Sequence, residues 1–557
     1  MYGNSNQPII VLKEGSKRTK NKEAQFNNID AAKAVADSVR STLGPKGMDK
    51  MMVNSIGDVV ITNDGVTILK EMDVQHPAAK MVVEVAKTQD TECGDGTTTS
   101  VVLAGELLKQ SEELIDSNVH PTVITNGFNM AAEQAVKILN DIAIPTKTDS
   151  VLKKIADTSL TGKSVGEDSD KQHLADMIVK ATCFVAEKDG RVDVKNIRIV
   201  KKVGGVIADS YMVQGVVIDK ELVHSRMPKK MENAKIALFS CPLEVQKTEI
   251  DAQIQITDPN RMNDFLASEE DTMKGMVESI KKAGANVVFC TKGVDEIVQH
   301  YLAKAGIMAY RRLKESDLEA LAKATGATIS GDVDEISPKD LGNAACVEEK
   351  QVGEDGMAFV TGCKNPKAVT LFIRGGTEHV IEEVERSLND AIRTVGITLE
   401  DGKVLAGAGA SEIELSLRLR KYASSVGGRE QLAIEKFAKA MEIIPWALAE
   451  NAGIDPIDTI IKLKNAHEKN KDGPRYGIDL DTGEAVDMFA KDVIEPLRVK
   501  TQAVNSATEV ANMILRIDDV IAFAALPRPR RRVLRAWAAE CLPAWAACPR
   551  CEFSNPF

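Results

Sequence analysis

The sequence predicts a multidomain α+β/α/β protein in which helical regions flank an α/β region. Three observations carry this. The chain has 557 residues, too many for one hydrophobic core when a domain averages about 150. Apolar residues toward both ends recur at three- and four-residue spacings, the period of amphipathic helices. In the middle, short apolar strands alternate with helical patterns, the mark of a parallel sheet with crossover helices.

Hydrophobic residues at 43% and charged residues at 27% describe a soluble globular protein. A net charge of −11 argues against a general nucleic-acid binder, which would carry a basic face. The basic run KEGSKRTKNK (13 to 22) is the local exception and reads as a solvated arm. The N-terminus MYGNSNQPII lacks a signal pattern, and no apolar run approaches the roughly 18 residues that span a bilayer. No membrane contact and a cytoplasmic location are therefore expected. Cys93, Cys183, Cys241, Cys290, Cys346 and Cys363 are scattered singly, as in a reduced compartment.

Residues 29 to 43 place Ala32, Val35, Ala36, Val39 and Leu43 on one helical face, and Gly44-Pro45 ends that helix. LGPKGMDK (43 to 50) then supplies a glycine turn with free backbone groups. DVVITNDGVTIL (58 to 69) reads as two strands around the hairpin-turn signature Asn63-Asp64-Gly65. ECGDGTTTS (92 to 100) feeds a long helix whose Val101, Ala104, Leu108 and Ile115 share a face. Its N-terminus offers unpaired N–H groups and a positive dipole end, suited to phosphate. Gly94 and Gly96 permit close backbone approach, and Thr97, Thr98 and Thr99 add hydroxyls. Asp95 would repel phosphates unless a cation such as magnesium lay between. A capped glycine turn that binds nothing is the alternative.

TSLTGKS (158 to 164) ends like a phosphate-binding P-loop, but Asp157 stands where the first glycine belongs and VLKKIADTS before it reads as helix. Lys163 remains able to reach a phosphate from another kind of loop. NAKIALFSC, ANVVFCT, GIMAYRR and ATGATIS follow as strands. The first two are separated by a connection of more than forty residues, too long for an ordinary crossover. Its Met262, Phe265, Leu266, Met273, Met276 and Ile280 either serve a projecting segment or complete the local core. In ERSLNDAI, Asp390 lies about 200° around the helix from the stripe Val384, Leu388, Ile392, free to face a polar site or solvent. After the hairpin-like ITLEDGKVL comes AGAGASEIE, where Gly407 and Gly409 permit close approach and Ser411 with Glu414 fit a capping box. The final 35 residues, from Phe523, have no lysine, six arginines and Cys541, Cys548 and Cys551, too few ligands for a closed zinc site. This tail reads as foreign to the rest of the chain and is expected to be disordered.

LGPKGMDK, NDGVTIL, GDGTTTS, TSLTGK, ERSLNDAI, AGAGASE, YGIDLDTG and EPLRVKTQA occur in the same order as in the group II chaperonins, which the chain resembles from about Ile9 to Ile521. This is the family of the archaeal thermosomes, related to the eukaryotic cytosolic chaperonin. The resemblance implies an ATP-dependent chaperone with a mostly helical equatorial ATPase domain (1–148 and 405–522). It further implies an intermediate hinge domain (149–217 and 370–404) and an apical substrate-binding α/β domain (218–369) with a built-in lid at about 243–284. Identical or paralogous subunits would form two stacked rings of eight or nine around unfolded protein clients, without a separate co-chaperonin. The cofactors implied are ATP/ADP and Mg²⁺. Asp64 and Asp390 would orient and deprotonate the attacking water, and Asp95 would hold the metal. Leu43, Gly44, Pro45, Gly65, Gly94, Gly96, Thr97, Thr98 and Thr99 would cradle phosphates, with Thr161, Gly162 and Lys163 as a nucleotide-sensing loop. Gly407, Gly409, Gly477, Asp479, Glu495 and Lys500 would line the adenine and ribose. The family pattern GGGA is here AGAGA, so Ala408 adds a methyl beside the nucleotide.

Overall fold

The computed structural model describes residues 17–53, 57, 59–146, 148–163, 166–187, 190–245, 259–353, 355–363 and 368–522, with only the backbone of 17–18, 259–266 and 522. The expected tail (523–557), residues 246–258 of the long connection, which include the strand-like DAQIQIT (251–257), and the side chains of Met262, Phe265 and Leu266 lie outside the described residues.

Two units are distinguished. In the first, strand Lys17–Lys20 pairs antiparallel with Asp519–Ala522, so part of the basic arm expected to be solvated is a strand. The second comprises residues 26–516.

Helices α1 (Asn21–Arg40), α2 (Gly65–Glu71), α3 (Pro77–Cys93), α4 (Thr97–Asp116) and α5 (Pro121–Ile142) form the N-terminal region. The expected face of α1 is buried through Ala32, Val35, Ala36 and Val39, and the helix starts eight residues earlier than its periodicity indicates. Val101, Ala104, Leu108 and Ile115 of α4 are buried in the same core. The expected hairpin at 58–69 is not present. Strand Val59–Thr62 pairs backward with Lys50–Val53, and Gly65 onward is helix. The Asp64 carboxylate decides this, because it accepts hydrogen bonds from Val66 N and Thr67 N and so caps α2 instead of closing a turn.

Helix α7 (Asp168–Val185) packs on a three-stranded sheet of Ile197–Val203, Val369–Gly375 and Tyr211–Val213, and α6 (Asp149–Leu160) packs on α7. The helical reading of VLKKIADTS holds, so the P-loop context is absent. The four strands expected in the middle are all present and mutually parallel: Met308–Tyr310 beside Val287–Cys290, then Lys230–Phe239, which also pairs Ile329–Ser330. Three further strands, Gly342–Val352, Asp355–Cys363 and Gly215–Ile218, join antiparallel in that order and make the seven-stranded sheet mixed. Ile236 and Leu238 enter one core cluster and Ala237 and Phe239 another, as a period of two requires in a sheet buried on both faces. Helix α8 (Pro259–Ala283) lies against that sheet, burying Met273, Val277 and Ile280, with α9 (Glu296–Lys304) and α10 (Glu315–Thr325) following. The C-terminal half of the long connection therefore completes the local core.

Helix α11 (Glu378–Asp401) runs through the stretch read as hairpin-like; Gly402 stops it in a left-handed conformation, and strand Lys403–Ala406 follows. The capping box at Ser411 and Glu414 is also not formed. Helix α12 (Ala410–Val426) is capped by Gly409, Ser411 Oγ turns to Glu412 Oε2, and Glu414 pairs with His467 and Arg418. Helices α13 (Glu430–Met441), α14 (Ile443–Asn451), α15 (Pro456–Lys469) and α16 (Leu497–Leu515) share the large apolar core of α1 to α5.

Candidate functional site

The junction of α3 and α4 is the centre of the site. Gly94 caps α3 at φ 70° and Gly96 caps α4 at φ 74°, both in the left-handed region that favours glycine. Gly94 is needed for a second reason: a Cβ there would stand 2.7 Å from Arg393 Cβ and 3.2 Å from the Asp390 carbonyl, so α11 approaches this turn too closely for a side chain. No side chain caps the N-terminus of α4, which leaves its first-turn N–H groups at Thr97, Thr98 and Thr99 free for an outside acceptor. Asp95 stands at the mouth of that turn, held by Gly96 N to its Oδ1 (2.7 Å) and by Gln89 Nε2 to its carbonyl (2.9 Å).

Asp64 arrives from the N-terminus of α2. Its Oδ2 accepts from Thr67 N (3.1 Å) and Thr67 Oγ1 (2.7 Å), and Thr97 Oγ1 lies 3.5 Å from its Oδ1. Gly65 abuts Thr98 across the same gap. Leu43, Gly44 and Pro45 follow α1: the Leu43 carbonyl is held by Asn451 Nδ2 (2.9 Å), and Gly44 and Pro45 pack against Gly162. Thr161 ends α6 with its Oγ1 on the Asp157 carbonyl (2.7 Å), and Asn63 Nδ2 donates to the Gly162 carbonyl.

Asp390 and Lys163 form an ion pair at 2.5 Å, with side chains 17% and 16% exposed. Burial pushes the Asp390 carboxyl up to about 7; Asp64 and Asp95 push the same way, and Lys163 opposes them. Burial pulls Lys163 down, but Asp390, Asp95 and Asp64 outweigh it and hold its pKa above that of ordinary lysine. The ammonium is thus charged at neutral pH beside a carboxyl poised near neutrality.

Gly407, Gly409, Gly477, Glu495 and Lys500 make a neighbouring wall. Gly407 lies beneath Glu495 Oε1, which would be 2.8 Å from a Cβ, and Gly477 packs on the carbonyls of 407 and 408. Lys500 Nζ is shared by Glu495 (2.7 Å) and Glu412 (2.8 Å). Burial and the nearby Glu412 raise the Glu495 carboxyl, whereas Lys500 lowers it. Gln89 Nε2 joins the two walls, reaching both the Asp95 carbonyl and that of Val499 (3.2 Å). Asp479 stands apart: its carboxylate closes its own turn through Asp481 N and Thr482 Oγ1 and pairs with Lys491. Ala408 sits at φ 52°, a left-handed conformation that costs a non-glycine residue about 1 kcal/mol. Cys93, beside the loop, is fully buried with its thiol pushed up to about 12 by burial, and is therefore inert as a nucleophile.

Sequence reasoning missed Gln89, Glu412, Glu383 and Arg393. Glu383 and Arg393 had a legible signal, standing seven residues before and three after Asp390 and hence on the same side of α11. Glu383 is 5% exposed and its Oε2 accepts from Thr62 Oγ1 (3.1 Å); Arg393 Nη1 donates to the Asp90 carbonyl (2.6 Å).

Among the described residues no group of three or more His, Cys, Asp or Glu side chains is arranged to hold a metal, and no helix is long and apolar enough to cross a membrane. One carboxylate beside free N–H groups and hydroxyls is a donor set that fits magnesium only in company with phosphate oxygens.

The family model described as TCP-1/cpn60 chaperonin matches residues 35–524. Thermosome subunit alpha of Thermoplasma acidophilum is 62% identical over 518 residues, 92% of this chain and 94% of that one. Thermosome subunit beta of Archaeoglobus fulgidus is 60% identical over 530 residues, and the thermosome subunit of Pyrococcus horikoshii is 57% identical over 529; each alignment covers 94% of this chain and 96% of the relative. A match of this extent, on a chain whose glycine loops and carboxylates converge as described, makes the chain a member of the TCP-1/cpn60 chaperonin family, in its group II, thermosome-type branch.

Proposed function

We propose that the chain is one subunit of a double-ring folding chamber in the cytoplasm, driven by Mg-ATP hydrolysis that this site performs only when α11 is docked. The protein is an ATP-dependent chaperonin, and the family implies nucleotide use. The observation that carries the finer reading is the convergence of Asp64, Asp95 and the Lys163–Asp390 pair on the uncapped N-terminus of α4.

In this reading the N–H groups of residues 97 to 99 and the threonine hydroxyls bind phosphate oxygens. Asp95 would hold magnesium, which when bound supplies charge neutralisation of the phosphates. Lys163 reaches the terminal phosphate, exchanging part of its contact with Asp390. Asp64, whose oxygens are already fixed by Val66, Thr67 and Thr97, orients the water. Asp390 accepts its proton as the water oxygen attacks phosphorus and the bond to the ADP oxygen breaks, leaving ADP and phosphate. A carboxyl with its pKa near 7 is matched to that task. Gly407, Gly409, Gly477 and Glu495 face the base and ribose, with Lys500 neutralising Glu495; Asp479 takes part only by leaving the contacts of its own turn.

The proposed division is equatorial 1–148 with 405–522, intermediate 149–217 with 370–404, and apical 218–369 with the lid at about 243–284. Asp390 and Lys163 then belong to the intermediate domain and the phosphate loop to the equatorial one. Hydrolysis requires closure on this division, which couples chemistry to the lid. Identical or paralogous subunits, eight or nine per ring, enclose unfolded protein with no separate co-chaperonin. Negative-stain imaging combined with an ATPase assay tests the reading: stacked double rings with magnesium-dependent hydrolysis are expected. Single rings, or turnover unaffected by EDTA, would contradict it.

A further inference from the structure

Helix α11 touches the Asp64–Asp95 side of the site at two places, with Asp390 between them. On one side, Arg393 Nη1 donates to the Asp90 carbonyl at 2.6 Å and lies 3.5 Å from Asp90 Oδ1. On the other, two helical turns or about 10 Å before Asp390, the buried Glu383 carboxylate accepts from Thr62 Oγ1 at 3.1 Å. The Thr62 oxygen in turn accepts from Asp64 N at 3.1 Å. The hydroxyl proton goes to Glu383 and a lone pair to Asp64, so each partner fixes the other's geometry. Arg386 Nη1, 3.2 Å from Glu383 Oε2, and the nearby Lys163 offset the buried negative charge. Nothing in the hydrolysis itself uses Glu383, and a carboxylate at 5% exposure without a function is costly to retain.

We infer that Glu383 is a positioning residue for hydrolysis: the chain Glu383–Thr62–Asp64, opposed by Arg393–Asp90, locks α11 so that Asp390 and Asp64 are set on the same water. This rests on the reading of Asp64 and Asp390 given above. A rigid helix held at both sides of Asp390 cannot pivot about either contact, and misplacement of a base by about 1 Å costs as much as 100-fold in rate. Binding of the nucleotide is left to loops that Glu383 does not touch.

Glu383→Ala is expected to lower the steady-state kcat for ATP by about tenfold to 100-fold with KM unchanged and double rings intact by negative stain. Glu383→Gln keeps an oxygen that accepts from Thr62 and should restore most of the rate. Thr62→Val should fall as Glu383→Ala does and Thr62→Ser should recover. The pair Thr62→Val with Glu383→Ala should be no slower than either single change, because both break one chain. Wild-type kcat in Glu383→Ala or Thr62→Val, additive losses in the pair, or a Gln variant as slow as the Ala variant overturns the inference. If Glu383→Ala does not assemble, the Gln, Val and Ser variants decide alone. Asp390→Ala in the same assay separates the two levels: wild-type turnover there removes the underlying reading and the inference with it. A dead Asp390→Ala beside an unaffected Thr62→Val removes the inference only.

Discussion

Asp390 combines two properties that oppose each other in water, a carboxylate's acidity and a base's appetite for a proton. Burial supplies the second by raising its pKa to about 7 from a reference of 3.8. Because the folded value stands above the unfolded one, this group favours folding fully only below the reference value, and the contribution is lost as pH rises through about 7. Its proposed use as a base runs the other way. The ionised form accepts the proton, so kcat/KM for ATP is expected to rise with pH along a limb centred near 7. Lys163 lowers that pKa, so Lys163→Met should move the limb to higher pH as well as lower the rate; a pH profile of kcat/KM checks the direction. Sequence spacing left Asp390 facing either solvent or a site, because its partner Lys163 is 227 residues away in the chain. Ala408 was legible as a departure, but its left-handed φ was not, since only the fold dictates that conformation.

Elements were legible where periodicity was strong and local. The faces of α1, α4 and α11 followed from three- and four-residue spacings, and the four parallel strands from apolar runs between helices. Two of the misreadings fall at Asx and glycine positions, where one residue decides between turn and cap. Asn63-Asp64-Gly65 has the composition of a hairpin turn, yet the Asp64 carboxylate meets the N–H groups of Val66 and Thr67 and starts α2. Asp401-Gly402 likewise has the composition of a turn, whereas Gly402 ends a 24-residue helix. Asp64 consequently caps α2 and, in the proposed reading, also orients the water, and the two duties can be separated. Asparagine caps about as well as aspartate, whereas alanine costs about 1 kcal/mol. Asp64→Asn should therefore keep the thermal midpoint while hydrolysis falls by about 10²-fold or more. Calorimetry and an ATPase assay on the same preparation check both halves.

In the whole molecule, the helical part of the segment proposed as the lid is partly a core element. Met273, Val277 and Ile280 of α8 pack with Phe239 and Val288 of the mixed sheet, so a deletion reaching Met273 would open a cavity. Removing 246–268 spares those contacts. It should leave ATP turnover unchanged while a client protein loses its protection from protease; protection retained in that variant contradicts the lid assignment. Two ion pairs, Arg198–Asp317 and Lys202–Asp355, join the three-stranded sheet under α7 to α10 and to strand Asp355–Cys363. In the proposed division they bridge the intermediate and apical domains. The order of motifs made the family legible from sequence, because eight short stretches in one order constrain far more than any one of them. The docking of α11 on Gly94 was not legible, since it depends on contacts across some 300 residues of chain.

On this reading hydrolysis waits for a carboxylate carried to the phosphate loop by α11. Single-turnover hydrolysis and nucleotide binding measured together on assembled Asp390→Ala test it most directly. Intact double rings that bind ATP with unchanged affinity and hydrolyse it slower by about 10²- to 10⁴-fold are the predicted result. Hydrolysis at the wild-type rate would contradict it.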